Sequence, residues 1–126
     1  MGTRSTTRIL DERGNCRVNM YRQYDGYPSG HGRELHTFLT KYQLVNGLPY
    51  GEDTTNYANG PGCLAALMVR DFKVEAGRFY LVPADEHNEE YNYLVEFEES
   101  GDIKISVNDG AEMTLDEFNY FCEKED

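Results

Sequence analysis

The sequence predicts an α+β fold, a single domain over residues 1–126 with an antiparallel sheet of about five strands and two to three helices on one face. Three observations carry this prediction. Short runs alternate apolar with polar side chains, as half-buried strands do, and other stretches place apolar residues three or four positions apart, as amphipathic helices do. No linker, repeat or low-complexity tract divides the chain, whose 126 residues match the size of one ordinary domain.

The chain opens with a predicted β-hairpin. Residues 3–10 are rich in β-branched types, residues 11–15 are typical of a turn, and residues 16–23 are predicted as a second strand. The first strand is polar on both sides, which indicates either an edge strand or the wall of a site, and we favour the wall. The polar residues on one of its faces are Arg4, Thr6 and Arg8.

Two helices are predicted next. Apolar residues at helical spacing predict an amphipathic helix over residues 33–46, and Gly47 supplies a left-handed stop. Residues 48–60 are predicted to form a long loop, a feature that is often functional in compact domains. A second helix is expected to start near Pro61, a residue favoured in the first helical turn, and Gly77 follows its end.

Three more strands are predicted in the second half of the chain. Residues 79–82 form a short apolar run, which we expect to be a central strand. Residues 91–97 and 103–107 alternate apolar with polar side chains, and Ser100-Gly101-Asp102 joins these two strands as a hairpin. The sheet therefore reaches five strands.

The last predicted helix begins with a capping pattern. It runs from Leu115 to about Glu123, where apolar residues supply packing contacts. Thr114 and Glu117 have the spacing of a capping box, in which a hydroxyl and a carboxylate accept hydrogen bonds from backbone N–H groups at the helix start. We therefore expect a well-defined N-terminus for this helix.

Charge is distributed unevenly along the chain. The formal net charge is −11, which argues against binding to long nucleic acid or to an anionic membrane. Residues 1–41 carry seven Lys or Arg against four Asp or Glu, whereas the rest of the chain carries five against nineteen. This segregation favours a small anionic ligand on one face and repels polynucleotides from the other.

Cysteine and histidine positions argue against a disulfide framework and against a metal site. Cys16, Cys63 and Cys122 are an odd number of widely spaced cysteines, and the three histidines are scattered as well. We therefore predict no metal and no cofactor. Because the chain has no apolar run long enough to cross a bilayer and no signal-peptide pattern, we expect a cytoplasmic protein without a membrane partner.

The most informative segment is the loop over residues 21–32, Tyr-Arg-Gln-Tyr-Asp-Gly-Tyr-Pro-Ser-Gly-His-Gly. Its tyrosines offer stacking surfaces for a planar base, and its last residues precede a helix N-terminus, where free N–H groups attract anions. We interpret the loop as part of a ligand site; the alternative is a tyrosine-rich turn that only packs. The predicted ligand-binding residues, whose arginines would hold phosphate, are Arg4, Arg8, Arg22, Tyr24, Asp25, Tyr27, His31, Arg33 and Asn59.

Binding without chemistry fits these residue types best, so no catalytic residue is assigned. Alternation along the second strand places Arg22 and Tyr24 on one face, which we expect to point toward the ligand and away from the core. A hydrolase of the same ligand class would use Asp25, His31 or Cys63, with His31 as the base for the thiol. Cys63 precedes an apolar run, however, where a thiol is usually a small buried hydrophobe. Asp25 has a second interpretation as an Asx turn.

Residues 1–5 and the loop over residues 21–32 resemble a family of short, mostly uncharacterised proteins from bacteriophages and prophages. Members of that family begin with a similar Thr-Arg-Ser strand and carry a (Tyr/Trp)-Asp-Gly-Tyr-Pro loop before a helix, and residues 59–66 hold a fainter likeness. The resemblance implies a viral accessory protein in the host cell cytoplasm. Its role would be similar to that of phage proteins that sequester cyclic nucleotide or ADP-ribose immune signals.

The sequence therefore predicts a phage counter-defence protein that binds a small nucleotide-type immune signal, a cyclic oligonucleotide or an ADP-ribose derivative, and withholds it from a host effector. The alternatives are a hydrolase of the same ligands and an acidic inhibitor that docks on a basic host protein. We also expect a homo-oligomer, because one domain of this size offers little depth for enclosing a nucleotide and sites shared between protomers solve that problem.

Overall fold

The computed structural model describes residues 2–48, 51 and 53–124. Within these residues the strands are β1 (Ser5–Leu10), β2 (Cys16–Arg22), β3 (Gln43–Val45), β4 (Tyr57–Asn59), β5 (Phe79–Leu81), β6 (Tyr91–Phe97) and β7 (Ile103–Val107). The α-helices are α1 (Arg33–Lys41), α2 (Gly60–Phe72) and α3 (Leu115–Lys124), and a π-helical turn, Pro28–Gly32, leads into α1. This arrangement is the predicted α+β fold, and no helix among the described residues is long and apolar enough to cross a membrane.

The five-stranded sheet has the order β5-β2-β1-β6-β7 and is mostly antiparallel. The predicted hairpins β1–β2 and β6–β7 are both present. One pair, β1–β6, is parallel. The prediction of a central strand over residues 79–82 is wrong, because β5 lies at the edge of the sheet beside β2. A continuous apolar run is typical of a strand buried on both sides, but in β5 only Phe79 is buried, whereas Tyr80 and Leu81 are exposed.

The polar strand β1 lies at the centre of the sheet, so the alternative of an edge strand is wrong for it. Its three hydroxyls are buried, and two of them have hydrogen-bond partners inside the protein. The Thr6 hydroxyl donates to Oδ1 of Asn92 on β6 (2.7 Å), and the Thr7 hydroxyl lies 2.7 Å from Nε2 of His31. Hydrogen bonding therefore accounts for the burial of Thr6 and Thr7, whereas the buried hydroxyl of Ser5 has no hydrogen-bond partner among the described residues.

The first helix is shorter than predicted. It ends at Lys41, and the chain continues in extended conformation into β3, which pairs in parallel with β4. The prediction was too long because the apolar residues of β3 continue the helical spacing beyond the end of α1. Strand β4 lies inside the segment 48–60 that was predicted as a loop, of which residues 49, 50 and 52 lie outside the described residues.

One hydrophobic core holds the three helices against one face of the sheet, as predicted. Sheet residues such as Ile9, Val95 and Ile105 are fully buried in the same cluster as Leu64 of α2 and Phe118 of α3. On the other face, the side-chain amide of Asn19 donates to the backbone carbonyls of Pro83 and Glu86, both at 2.8 Å. The chain between β5 and β6 therefore crosses the face that carries no helix.

The capping box at the start of α3 is confirmed. The backbone N–H of Thr114 donates to the Glu117 carboxylate (2.8 Å), and the N–H of Glu117 donates to the Thr114 hydroxyl (3.3 Å). These bonds also lower the pKa of Glu117.

Because the first N–H groups of a helix have no partner within the helix, we expect Thr114→Ala to lower the free energy of unfolding by about 1 kcal/mol. Urea denaturation measures this change. Glu117→Gln keeps the reciprocal pattern, so it should lower the free energy of unfolding by less than Thr114→Ala does. An equal or larger decrease would contradict the capping-box explanation.

Candidate functional site

The loop over residues 21–32 is packed against the body of the protein. The N–H of Gly26 donates to the carbonyl of Thr3 (2.8 Å), and the Tyr93 hydroxyl donates to the carbonyl of Gly26 (2.7 Å). A Cβ atom at Gly26 would lie 2.6 Å from the Cβ of Ser5, so this close approach requires glycine. The loop therefore has the structural role that its sequence left open as an alternative.

The N–H groups that were expected to attract an anion at the start of α1 are already bonded. The N–H of Gly30 donates to the carbonyl of Tyr27 (2.9 Å), and the N–H of His31 donates to the carbonyl of Asp25 (3.0 Å). The π-helical turn before α1 creates these bonds, because it folds the loop back over the helix start. The N–H groups at the end of the loop are thus bonded within the loop itself, so the prediction that the N–H of Gly30 is free to bind an anion is wrong.

Arg22 points into the core, so the expectation that it faces away from the core is wrong. Its side chain is 1% exposed. Its Nε donates to the carbonyl of Tyr24 (2.7 Å), its Nη1 lies 3.1 Å from a carboxylate oxygen of Glu34, and its guanidinium lies over the ring of Phe79 at 5.1 Å. The register between β1 and β2 explains this orientation, because it places Arg22 opposite the buried Ser5 on the face of the sheet that the helices cover.

His31 is fully buried beside Arg22. The Nη1 of Arg22 lies 3.2 Å from Nδ1 of His31, and a guanidinium can only donate, so Nδ1 accepts and the imidazole proton sits on Nε2. Nε2–H then donates to the Thr7 hydroxyl at 2.7 Å. Burial, with the charge of Arg22, lowers the pKa of His31 to about 3. His31 is therefore a neutral structural link between the loop and β1.

The other loop residues of the predicted site are at the surface. Tyr24 is 41% exposed, and its ring lies 5.6 Å from the guanidinium of Arg78. Asp25 is exposed with a φ of 60°, and its carboxylate accepts from the Tyr27 hydroxyl at 3.3 Å. Tyr27 lines a separate cavity with Thr3. Only Tyr24 among these three lies beside the groove described below.

Three other predicted residues, Arg4, Arg8 and Asn59, do not line the groove described below. Arg4 is exposed, and Arg8 is half-buried on the face of β1 opposite Thr7. Asn59 accepts a hydrogen bond from the N–H of Gly47 (2.7 Å) at the start of α2, whereas the end of α2 is the part that contacts His31. A helix of 13 residues is about 20 Å long, so Asn59 is not brought to the loop.

A groove between α1 and the segment that joins α2 to β5 is the candidate site. Its volume is about 430 Å³, which lies within the range of small-molecule sites. Its floor consists of three buried rings that pack edge-to-face at 5.5–5.7 Å, those of Phe38, Phe72 and Phe79. The basic side chains that line it are Arg33, Lys41 and Arg78.

The groove has an excess of positive charge. The two carboxylates that line it are both paired, Glu34 with Arg22 (3.1 Å) and Asp71 with Arg70 (2.9 Å) and Lys41 (3.6 Å). The Tyr42 hydroxyl donates to Asp71 as well (2.5 Å), and these contacts outweigh partial burial and lower the pKa of Asp71. Neither Arg33 nor Arg78 has a carboxylate within 4.0 Å among the residues that the structure describes. The groove is therefore suited to an anion.

Arg33 was predicted as a site residue, whereas Arg78 and Lys41 were not. Arg78 lies far from the tyrosine loop in the sequence, and antiparallel pairing of β2 with β5 brings it there. The backbone N–H of Gln23 donates to the carbonyl of Arg78 (2.9 Å), which fixes this approach. The sequence shows only that Arg78 is a basic residue next to a predicted strand. Its position beside the tyrosine loop depends on the pairing of β2 with β5, which local sequence patterns do not predict.

The arrangement offers no catalytic pair of the kind considered from the sequence. Phe72, at the end of α2, contacts the ring of His31, and Cys63 lies nine residues earlier, about 13 Å along the helix axis. The thiol of Cys122 is buried, which raises its pKa to about 12 and keeps it unreactive. Among the described residues, no group of three or more His, Cys, Asp or Glu side chains is arranged to hold a metal ion.

Comparisons with protein families, with curated proteins and with solved structures give no match to this chain. The resemblance to bacteriophage proteins thus stays a prediction from residues 1–5 and 21–32. The fold and the groove are the basis for any functional proposal.

Proposed function

We propose that the protein binds a small nucleotide in the groove between α1 and the α2–β5 segment. The observation that carries this proposal is the placement of Arg33 and Arg78, two arginines without carboxylate partners among the described residues, beside an aromatic floor. A guanidinium fork binds phosphate oxygens through two parallel hydrogen bonds, and aromatic rings stack on a base. In a chain with a net charge of −11, such a local excess of positive charge requires an explanation.

The groove offers different surroundings along its length. Arg33, Thr37 and Lys41 follow one another at four-residue spacing along α1, so they form a stripe about 12 Å long. The Arg33 end is the one without a carboxylate partner, whereas Lys41 is paired with Asp71. The phosphate therefore binds at the Arg33 end, and the paired Asp71 end offers acceptors for sugar hydroxyls.

The biological role we propose is sequestration of a nucleotide immune signal from a host effector, as the phage resemblance implies. Burial of His31 and the distance from Cys63 to it support binding over hydrolysis. An acidic inhibitor of a host protein is the alternative, and it would bind its partner without any nucleotide. The homo-oligomer, for which the exposed edge strand β5 offers a surface, stays part of this proposal.

A ligand panel tests the proposal. Thermal denaturation and calorimetric titration with nucleoside monophosphates, cyclic dinucleotides and ADP-ribose should identify a ligand that raises the Tm. Arg33→Ala is then expected to weaken its binding roughly ten- to hundredfold, because a charge-assisted hydrogen bond contributes about 1.5–3 kcal/mol.

Arg13→Ala is the matched control, since it removes the same charge from an exposed turn of the β1–β2 hairpin. Equal weakening by both variants would mean that only overall charge matters and would contradict a site in the groove. Ligand released intact by heating supports sequestration, whereas altered product indicates a hydrolase. No nucleotide-dependent change in Tm, together with capture of a basic host protein, would favour the acidic inhibitor.

A further inference from the structure

Arg78 has an unusual backbone conformation for its residue type. Four non-glycine residues in the described part of the chain have positive φ, and three of them are Asn or Asp, which tolerate it well. Arg78 is the fourth, with a φ of 69°. A long side chain in this left-handed region costs free energy, and such positions concentrate at ligand sites.

Specific contacts hold Arg78 in this conformation. Its N–H donates to the side-chain oxygen of Gln23 (3.3 Å), and its carbonyl accepts from the N–H of the same residue (2.9 Å). Its guanidinium lies over two rings, 5.6 Å from that of Tyr24 and 5.4 Å from that of Phe79. The head group is therefore positioned at the groove before any ligand arrives.

The guanidinium of Arg78 is incompletely satisfied by the protein. Its Nε is buried without a hydrogen-bond partner. No carboxylate lies within 4.0 Å of it among the described residues, whereas Arg22 on the same Phe79 ring is paired with Glu34. A strained backbone and an unsatisfied donor are both unfavourable for stability, so their coincidence in one residue indicates a role other than stabilisation.

Resting on the proposed nucleotide binding, we propose that Arg78 is the principal phosphate-binding residue and that the groove selects a terminal phosphate monoester over a phosphodiester. Of the two ligand classes predicted from the sequence, this selection favours an ADP-ribose derivative with a terminal phosphate over a cyclic oligonucleotide, whose phosphates are all diesters. The residues that line the groove and those ion-paired with them comprise five basic side chains and two carboxylates, an excess of three positive charges. A monoester carries close to two negative charges at neutral pH, against one for a diester. Its three terminal oxygens also let Arg78 and Arg33 bind different oxygens of one phosphate.

Paired ligands that differ only in this phosphate test the selection. Titration calorimetry is carried out with adenosine and guanosine 5′-monophosphates and with the corresponding 3′,5′-cyclic monophosphates. We expect the wild-type protein to bind at least one 5′-monophosphate about tenfold or more tightly than its cyclic counterpart. Equal or tighter binding of the cyclic forms overturns the selection while leaving nucleotide binding in place. No binding of any nucleotide, including those of the wider panel, overturns both proposals.

Two variants of Arg78 separate its guanidinium from its backbone. Arg78→Ala and Arg78→Gly both remove the guanidinium. We expect both variants to bind the 5′-monophosphate about tenfold or more weakly than the wild type does, so that its affinity falls to that of the cyclic form. Because glycine adopts positive φ without strain, the glycine variant should melt at a higher temperature than the alanine variant. Arg13→Ala should keep the wild-type preference. Wild-type affinity in the glycine variant but not in the alanine variant would overturn the proposal, since the backbone and not the guanidinium would then control binding.

Discussion

Arg22→Ala is expected to lower the free energy of unfolding by about 3–5 kcal/mol, because it removes a large buried side chain together with the hydrogen bonds that it donates. The substitution leaves a cavity over Phe79 and removes the donors that satisfy Nδ1 of His31 and the carbonyl of Tyr24. The carboxylate of Glu34 is 47% exposed and can be hydrated, so most of the loss comes from the buried groups. The Tm should fall by roughly 10–20 °C.

Two further variants define the cause of this loss. Arg22→Met fills much of the volume without supplying donors, so we expect its free energy of unfolding to lie between that of the wild type and that of Arg22→Ala. Arg4→Ala removes the same charge from an exposed position before β1 and should change the Tm by little. An unchanged Tm for Arg22→Ala would show that the network of Arg22, His31 and Glu34 does not stabilise the protein.

Mild acid is expected to destabilise the protein through His31. Burial and the nearby charge of Arg22 lower the pKa of His31 to about 3 in the folded protein, against about 6.5 in an unfolded chain. Between these two values the unfolded chain binds a proton that the folded protein does not, so stability falls as the pH falls. The free energy of unfolding should fall by about 2 kcal/mol between about pH 7.5 and pH 5. Urea denaturation at a series of pH values measures this change.

The groups that surround His31 stay in one charge state over this range. Arg22 is always protonated, and burial raises the pKa of Tyr93, whose ring lies 5.1 Å from that of His31. The lowered pKa values of Asp11 and Asp71 move their own contributions to more acidic conditions.

Two histidine variants identify the group that titrates. His31→Asn keeps an acceptor for Arg22 and removes the titrating ring, so the variant is less stable at pH 7.5 but should lose the dependence on pH. His36→Asn, on α1 outside the buried network, should keep that dependence because His31 is still present. Retention of the full pH slope by His31→Asn would assign the effect to another group.

Local sequence patterns were sufficient where the physical cause is local. The bounds of β6 and β7, their hairpin and the capping box at Thr114 were all predicted correctly, because alternation, turn residues and cap spacing act over a few residues. The α+β class followed from the same patterns. Of the predicted site residues in the loop over residues 21–32, Tyr24 has its ring beside the groove, 5.6 Å from the guanidinium of Arg78.

Tertiary structure alone decided which of the charged residues are buried and which line the groove. Arg22 was expected to point toward a ligand and away from the core, but Glu34, His31 and Phe79 come from other parts of the chain to surround it. Likewise, only the pairing of β2 with β5 brings Arg78 to the groove. Alternation along a strand gives the two faces of that strand, but the partner of each face depends on strand order, which non-local packing determines.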